Sequence, residues 1–246
     1  ELFFAMQRMG NRMAPDYVGN PELKATRNSQ ADLGIKYYNG KLMLRANSFY
    51  AYLYDYIIPV EISKNTGDLS PRDTNELAAY KAWTGQDASV GNRYARSYKN
   101  IRAVMYGGEL ESMLSLPGLW YLGVGAGYTR GINDSDDREL PEIAPLKGTA
   151  RIKFDNNTWM AELEGEFAAT QNKIDDRIGE TNTAGWGIAN LKGSYHKDGI
   201  KLLLQVRNLF DRAYYEHLSY SRQFYTSGAH IPEPGRTITL SLQWQF

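Results

Sequence analysis

The chain of 246 residues contains no cysteine, so disulfide staples and thiolate metal sites are excluded at the outset. It has no run of about 18 apolar residues, and therefore no segment that would cross a bilayer as a helix. Net charge is missing too: 28 Lys and Arg balance 28 Asp and Glu, where a nucleic-acid binder usually carries a basic excess. Histidine is scarce, and no Ser/His/Asp set, His-Glu-x-x-His or Walker pattern is present, so no enzymatic activity and no cofactor is expected. The opening Glu1-Leu2-Phe3-Phe4 has no basic region before it, so it is not a signal peptide; an exported protein would have lost that segment earlier.

What is present is alternation. From Lys41, Leu42, Leu44, Ala46, Ser48, Tyr50, Tyr52, Tyr54, Tyr56 and Ile58 share one face, with Lys41, Arg45, Asn47 and Asp55 on the other. This segment is longer than an ordinary globular strand of ~5–6 residues. It exceeds the ~9–11 residues that cross a bilayer at a tilt. Its aliphatic part followed by tyrosines matches a lipid band capped by an aromatic girdle. The same period of two recurs at Trp120–Thr129, Leu146–Phe154, Trp159–Phe167, Ile200–Phe210 and Ile238–Phe246, each with apolar residues on one side and Lys, Arg, Glu, Gly or Gln on the other. The mean hydropathy of -0.52 hides such a pattern, because a barrel averages its lipid face with a polar one.

Nine strands are expected, at about 26–38, 41–61, 100–115, 119–131, 143–154, 158–171, 185–196, 199–213 and 235–246. Asn39-Gly40 has the signature of a type I′ hairpin. Leu116-Pro117-Gly118, Asn156-Asn157 and Lys197-Asp198-Gly199 are further tight turns. Between them lie polar segments at roughly 62–99, 132–142, 172–184 and 214–234, so short and long connections alternate as periplasmic turns and extracellular loops do. A two-residue loop at 156–157 would place Phe154 opposite Trp159, Arg151 opposite Glu162 and Lys147 opposite Glu166. A soluble β-sandwich shares the alternation, but strand length, the girdle and the loop asymmetry favour a transmembrane antiparallel β-barrel. Nine strands beginning on the outside leave an odd number and an open edge that lipid cannot satisfy, so residues 1–246 are expected to be the C-terminal part of a larger barrel.

Several stretches resemble TonB-dependent receptors. Asn20-Pro21-Glu22-Leu23-Lys24 with Ala31-Asp32-Leu33-Gly34 resembles the family's NPxLKPE…DLG segment, with Ala25-Thr26 where Pro-Glu is usual. Phe49-Tyr50 and Asp55-Tyr56-Ile57 resemble its FY…DYI strand. Asn208-Leu209-Phe210-Asp211 with Tyr214-Tyr215 resembles NLFDxxYY, and Pro234-Gly235-Arg236 with Phe246 resembles the closing PGR…F strand. The resemblance implies a barrel of about 22 strands with a plugged lumen, in the bacterial outer membrane among its lipid and lipopolysaccharide. It implies TonB as a partner, contacted through an N-terminal plug, and energy-coupled uptake of a metal chelate such as a ferric siderophore. A copper or cobalamin receptor and a passive porin or adhesin-type barrel are the alternatives.

Candidate site residues fall in the expected outer loops. Met6, Met9 and Met13 offer thioethers suited to Cu(I), or else flexible packing against plug and loops. No histidine lies in residues 1–20, where some haem receptors of the family place one, which disfavours haem. Tyr80, Trp83, Arg93, Tyr94, Arg96 and Tyr98 in the long loop, and His217, Tyr220, Arg222, Tyr225 and His230 in the last, combine cations and aromatics. Such a set grips an anionic aromatic chelate, contacts lipopolysaccharide, or packs loop on loop. Asp134, Asp136, Asp137 and Glu139 have the composition of a Ca²⁺ site without EF-hand spacing, and are expected to form a solvated acidic loop.

Overall fold

A computed structural model of the chain describes residues 16–17, 20–62, 95–176, 180–221 and 229–244. Thirteen strands are present among the described residues: β1 (Asp16–Tyr17), β2 (Arg27–Tyr38), β3 (Leu42–Ile62), β4 (Ala95–Leu116), β5 (Trp120–Asn133), β6 (Arg138–Glu139), β7 (Lys147–Asp155), β8 (Trp159–Ala168), β9 (Trp186–Lys197), β10 (Ile200–Arg207), β11 (Tyr215–Ser221), β12 (Ala229–Pro232) and β13 (Thr237–Trp244). Nine of them are the expected ones. They form one antiparallel meander in the order β13-β10-β9-β8-β7-β5-β4-β3-β2, every strand paired with its neighbour in sequence apart from the short β1, β6, β11 and β12. This sheet is open, with β2 and β13 at its edges.

The register makes the two faces explicit. Leu42 lies opposite Leu114, Leu114 opposite Leu122, and the row continues through Ile152, Leu163, Leu191 and Val206 to Ile238. Apart from Leu42 and Val206, every member of that row is exposed. Among the described residues no element packs over this face, and Leu33 and Leu240 at its two edges are 66% and 68% exposed. A contiguous aliphatic surface of this extent is expected only where the solvent is itself apolar. Aromatics bound it on both sides. Towards the short turns, Trp120 packs on Phe154 at 5.3 Å and Trp159 on Tyr195 at 4.5 Å. Towards the long connections, Tyr50 stacks on Tyr106 at 6.4 Å, beside Tyr52, Tyr54 and Tyr128. Trp120 to Tyr128 is roughly 26 Å of strand at ~3.3 Å per residue. A tilt of ~40° shortens this to about 20 Å, and the rings at each end extend it towards the ~25 Å apolar band of outer-membrane barrels.

The other face is polar. Lys36, Arg45, Glu111, Gly125, Thr149 and Glu166 share one row, and Tyr121, Lys153, Glu162, Lys192, Gln205 and Thr239 another. Opposite charges meet at Arg45–Glu111, Lys153–Glu162 and Glu162–Lys192, each pair contributing a few tenths of a kcal/mol to ~1 kcal/mol, while Lys36 faces the like charge of Arg45. Arg45 and Arg151 both reach Glu111, at 3.8 Å.

Two expected registers shift by one turn position. In the β7–β8 hairpin the turn centres on Asn157-Thr158 instead of Asn156-Asn157, with Asn157 at φ +68°. Arg151 therefore faces Glu164, Lys153 faces Glu162, and Lys147 faces Ala168, so the expected Phe154–Trp159, Arg151–Glu162 and Lys147–Glu166 pairs do not form. The faces survive, because the slip moves partners by two positions. The cause is the Asn156 side chain, whose Oδ1 accepts from Thr158 N (3.1 Å) and Trp159 N (2.7 Å) and so places Asn156 before the turn, not in it. Asn39 repeats the arrangement, accepting from Lys41 N and Leu42 N, while Gly40 supplies the positive φ of +82°.

Candidate ligand-binding region

The long connections gather at one end of the sheet, and hydrogen bonds between residues far apart in sequence tie them together. Asn208 is buried at 2% exposure. Its Nδ2 donates to the carbonyls of Arg212 (2.8 Å) and Pro234 (3.4 Å), and its Oδ1 accepts from Arg212 N at 2.9 Å. Its own amide donates to Asn190 Oδ1, and Asp211 Oδ1 accepts from Arg236 N at 2.7 Å. Asn208 and Asp211 both have φ near +50°, which ends β10 at Arg207, short of the expected 213, and turns the chain towards β13. A Cβ on Gly235 would stand 2.6 Å from Asp211 Oδ1, so any other residue there would force the Asp211 carboxylate to shift.

The first motif forms a second clasp. Asn20 is buried, donates from Nδ2 to the Tyr98 carbonyl at 2.8 Å, and accepts from Glu22 N. Lys24 and Asn100 exchange hydrogen bonds, and Asn100 also donates to the Asp55 carbonyl at 2.7 Å. Asp55, at φ +56° in the bulge between Leu53 and Tyr56, binds Arg27 at 3.2 Å.

The acidic loop is paired with cations instead of merely solvated. Asp134 meets Arg102 at 3.3 Å, Asp136 meets Lys99 at 2.8 Å, and Glu139 meets Arg130 at 2.7 Å. Among the described residues no group of three His, Asp or Glu side chains could hold a metal ion. A cavity of about 600 Å³ lies on the polar face, lined by Asp32, Asn47, Phe49, Glu109, Thr129 and Lys147 among others. Lys147 bonds Glu216 and lies 5.9 Å from the centre of the Trp186 ring, which packs on Tyr214.

A buried polar cluster joins three connections above this wall. Glu180 accepts from the amides of Glu142 (2.8 Å) and Asp175 (2.7 Å) and from His217 Nε2 at 3.0 Å. His217 is 2% exposed, and its Nδ1 is 2.8 Å from Thr183 Oγ1. His230 Nε2 is 3.2 Å from Thr181 Oγ1 and 3.5 Å from Thr183 Oγ1. Burial lowers the His230 pKa, with His217 adding to the effect, and burial beside Glu233 raises that of Tyr214.

Of the residues singled out in the sequence, the structure brings His217 and His230 together. Tyr220 pairs with His230 across the β11–β12 hairpin. Arg96 and Tyr98 lie in β4, opposite Glu61 and Pro59. Met6, Met9, Met13, Tyr80, Trp83, Arg93, Tyr94, Arg222 and Tyr225 lie outside the described residues. Glu180, Thr181 and Thr183 were not foreseen. They stand in a polar stretch with no periodicity, and only the pairing of Gln171 with Thr183 aims them inward.

The family model described as TonB-dependent receptor-like β-barrel matches residues 3–209. This chain belongs to that family. It is a β-barrel part of a TonB-dependent receptor, a class of bacterial outer-membrane proteins, and its exposed aliphatic face is the lipid face. Among solved structures, it is similar to the copper transporter OprC, with 26% identity and a TM-score of 0.74 over 93% of this chain and 34% of that one. It is also similar to the FrpB iron transporter from Neisseria meningitidis, with 17% identity, a TM-score of 0.62 and coverage of 94% and 33%. A mutant ferric enterobactin receptor, PfeA, from Pseudomonas aeruginosa matches at 19% identity and 0.64, covering 94% and 33%. The chain thus spans about a third of the length of these proteins. No curated protein sequence matches it.

Proposed function

We propose that the protein of which this receptor barrel is part imports a metal ion or metal chelate across the outer membrane, energised through TonB. The match to the receptor family over residues 3–209 carries this reading. The polar inner wall with its cavity, and the cluster of cations, aromatics and imidazoles at the loop end, give such a cargo a charged path and a place of first contact. TonB would be contacted through a plug segment outside these residues, and the plug would pack against the charged ladders. The chain's own part is to hold the lipid seal and present the loops, and it has no catalytic role.

Two cargoes divide the field. A ferric siderophore suits the Arg and Tyr residues of the loops and the iron receptors among the similar structures. Copper is favoured by the higher identity and TM-score to OprC, and by Met6, Met9 and Met13, whose thioethers suit Cu(I). The test is accumulation of copper and of ferric siderophore in cells carrying the full-length protein, with and without a working TonB. TonB-dependent accumulation of either supports import, and equal entry without TonB supports a passive barrel. Unchanged Cu(I) affinity after replacing all three methionines would eliminate the thioether site.

A further inference from the structure

The chain has only three histidines, and two of them, on different strands, converge on one hydroxyl. Their chemistry is more specific than loop packing requires. The Glu180 carboxylate accepts from His217 Nε2, so in the neutral ring the proton sits on that nitrogen and Nδ1 keeps the lone pair. A carboxylate holding one imidazole nitrogen is the arrangement that fixes the tautomer of a metal-ligating histidine and raises the basicity of its free nitrogen. The carboxylate is itself held by two backbone amides, which set its orientation independently of any ligand.

We propose that His217 Nδ1 and His230 Nε2 form a two-imidazole site for a borderline divalent transition metal, Cu(II) or Zn(II), at the loop end of the sheet. Both nitrogens lie within 3.5 Å of Thr183 Oγ1, which marks the point where the metal would sit. Binding displaces that hydroxyl, a loss of one neutral hydrogen bond, and draws the two rings together through the β11–β12 hairpin. Thr183 is anchored by reciprocal backbone bonds to Gln171 at 2.9 and 3.0 Å, so the hydroxyl can rotate away while the strand stays in place. Glu180 is the carboxylate that touches the cluster, while Asp175 and Glu216 are paired with Arg138 and Lys147. Two protein ligands leave coordination positions open, as suits a cargo ion that must arrive and leave, alone or with its chelator. The site differs from the thioether proposal in residues and in metal softness, since imidazole suits Cu(II) and Zn(II) where thioethers suit Cu(I).

Equilibrium binding of Cu(II) and of Zn(II) to the purified full-length receptor in detergent tests this without any need for transport, so it can fail while import stands, or hold while import fails. The expected result is a Cu(II) spectrum showing nitrogen hyperfine coupling, lost in His230→Ala with affinity reduced at least tenfold. Glu180→Gln lowers affinity about 10–100-fold, as loss of the carboxylate that orients a ligating imidazole does, while the nitrogen signature stays. Thr183→Ala retains binding. His217 is buried, so His217→Ala can disturb the loop; His230→Ala, at the margin of the cluster, keeps the test decisive. Cu(II) and Zn(II) affinities and spectra in His230→Ala equal to those of the unaltered receptor would overturn the proposal.

Discussion

At the short-turn end of the sheet, each closure is made from residues two or three apart: Asn39 accepts from Lys41 and Leu42, Asn156 from Thr158 and Trp159, and Asp198-Gly199 turn with φ of +50° and +77°. At the long-connection end local bonds such as Asn208 with Arg212 are joined by bonds between partners 25 to 78 residues apart, as in Asp211 with Arg236 and Asn20 with Tyr98. The first kind of closure is written in a tripeptide and forms as soon as its two strands pair. The second exists only once several strands have assembled, and it ties the long connections to one another. The receptor-family motifs of this chain sit almost wholly at the second end, because there a single polar side chain must serve several backbone groups at once.

If that contrast is right, Asn208→Ala has the largest effect. It strips a buried side chain that serves three backbone groups, at 2.8, 3.4 and 2.9 Å, and leaves them unsatisfied. The expected cost is about 2–4 kcal/mol, read as a lowered unfolding midpoint in detergent together with protease cleavage near 208–236. Gly235→Ala comes next. Its Cβ would collide with Asp211 Oδ1, and losing the Asp211–Arg236 bond is expected to cost about 1–2 kcal/mol, with cleavage confined to the same connection. Asn39→Ala and Asn156→Ala should each cost only about 0.5–1.5 kcal/mol and leave loop proteolysis unchanged, because their turns are backed by the ladder on both sides. A loss from Asn39→Ala as large as that from Asn208→Ala would break the contrast. The smallest expected effect is with pH. His230 has a pKa below its ordinary 6.5, so the folded loop takes up its proton less readily than the unfolded chain. Stability is unaffected above pH 6.5 and falls as pH drops from there through the depressed value. Protection of the β11–β12 amides relative to the intrinsic exchange rate at each pH should therefore fall below pH 6.5 in the unaltered receptor and not in His230→Ala.

Most of the sheet was legible because period two is a local signal. Six of the nine strands that cross the lipid band were recognisable from clear alternation, β2, β4 and β9 only from a weaker one, and the girdle tyrosines of β3 stand where their spacing put them. The turns were legible only to within a residue, since an asparagine next to a turn can occupy its centre or brace it from outside. Asn39 and Asn156 do the latter. The strand end at Arg207, the hairpin of β11 and β12, and the meeting of Glu180 with His217 were illegible for a different reason. The strand end depends on a backbone φ that no neighbouring residue announces, the Glu180–His217 contact on partners 37 residues apart, and the hairpin on a pairing without alternation to mark it. The two histidines were conspicuous as residue types, but nothing in the sequence said that they meet.

The account depends most on which face of the sheet meets hydrocarbon. A nitroxide label at Val124, midway between Trp120 and Tyr128 on the aliphatic face, and another at Thr149 on the opposite face, can be compared in the full-length receptor in lipid bilayers. Relaxation of the Val124 label is predicted to be strongly enhanced by dissolved oxygen and hardly affected by a water-soluble nickel chelate, with the Thr149 label showing no such preference for oxygen. Equal exposure of the Val124 label to the nickel chelate would contradict the membrane assignment and everything built on it.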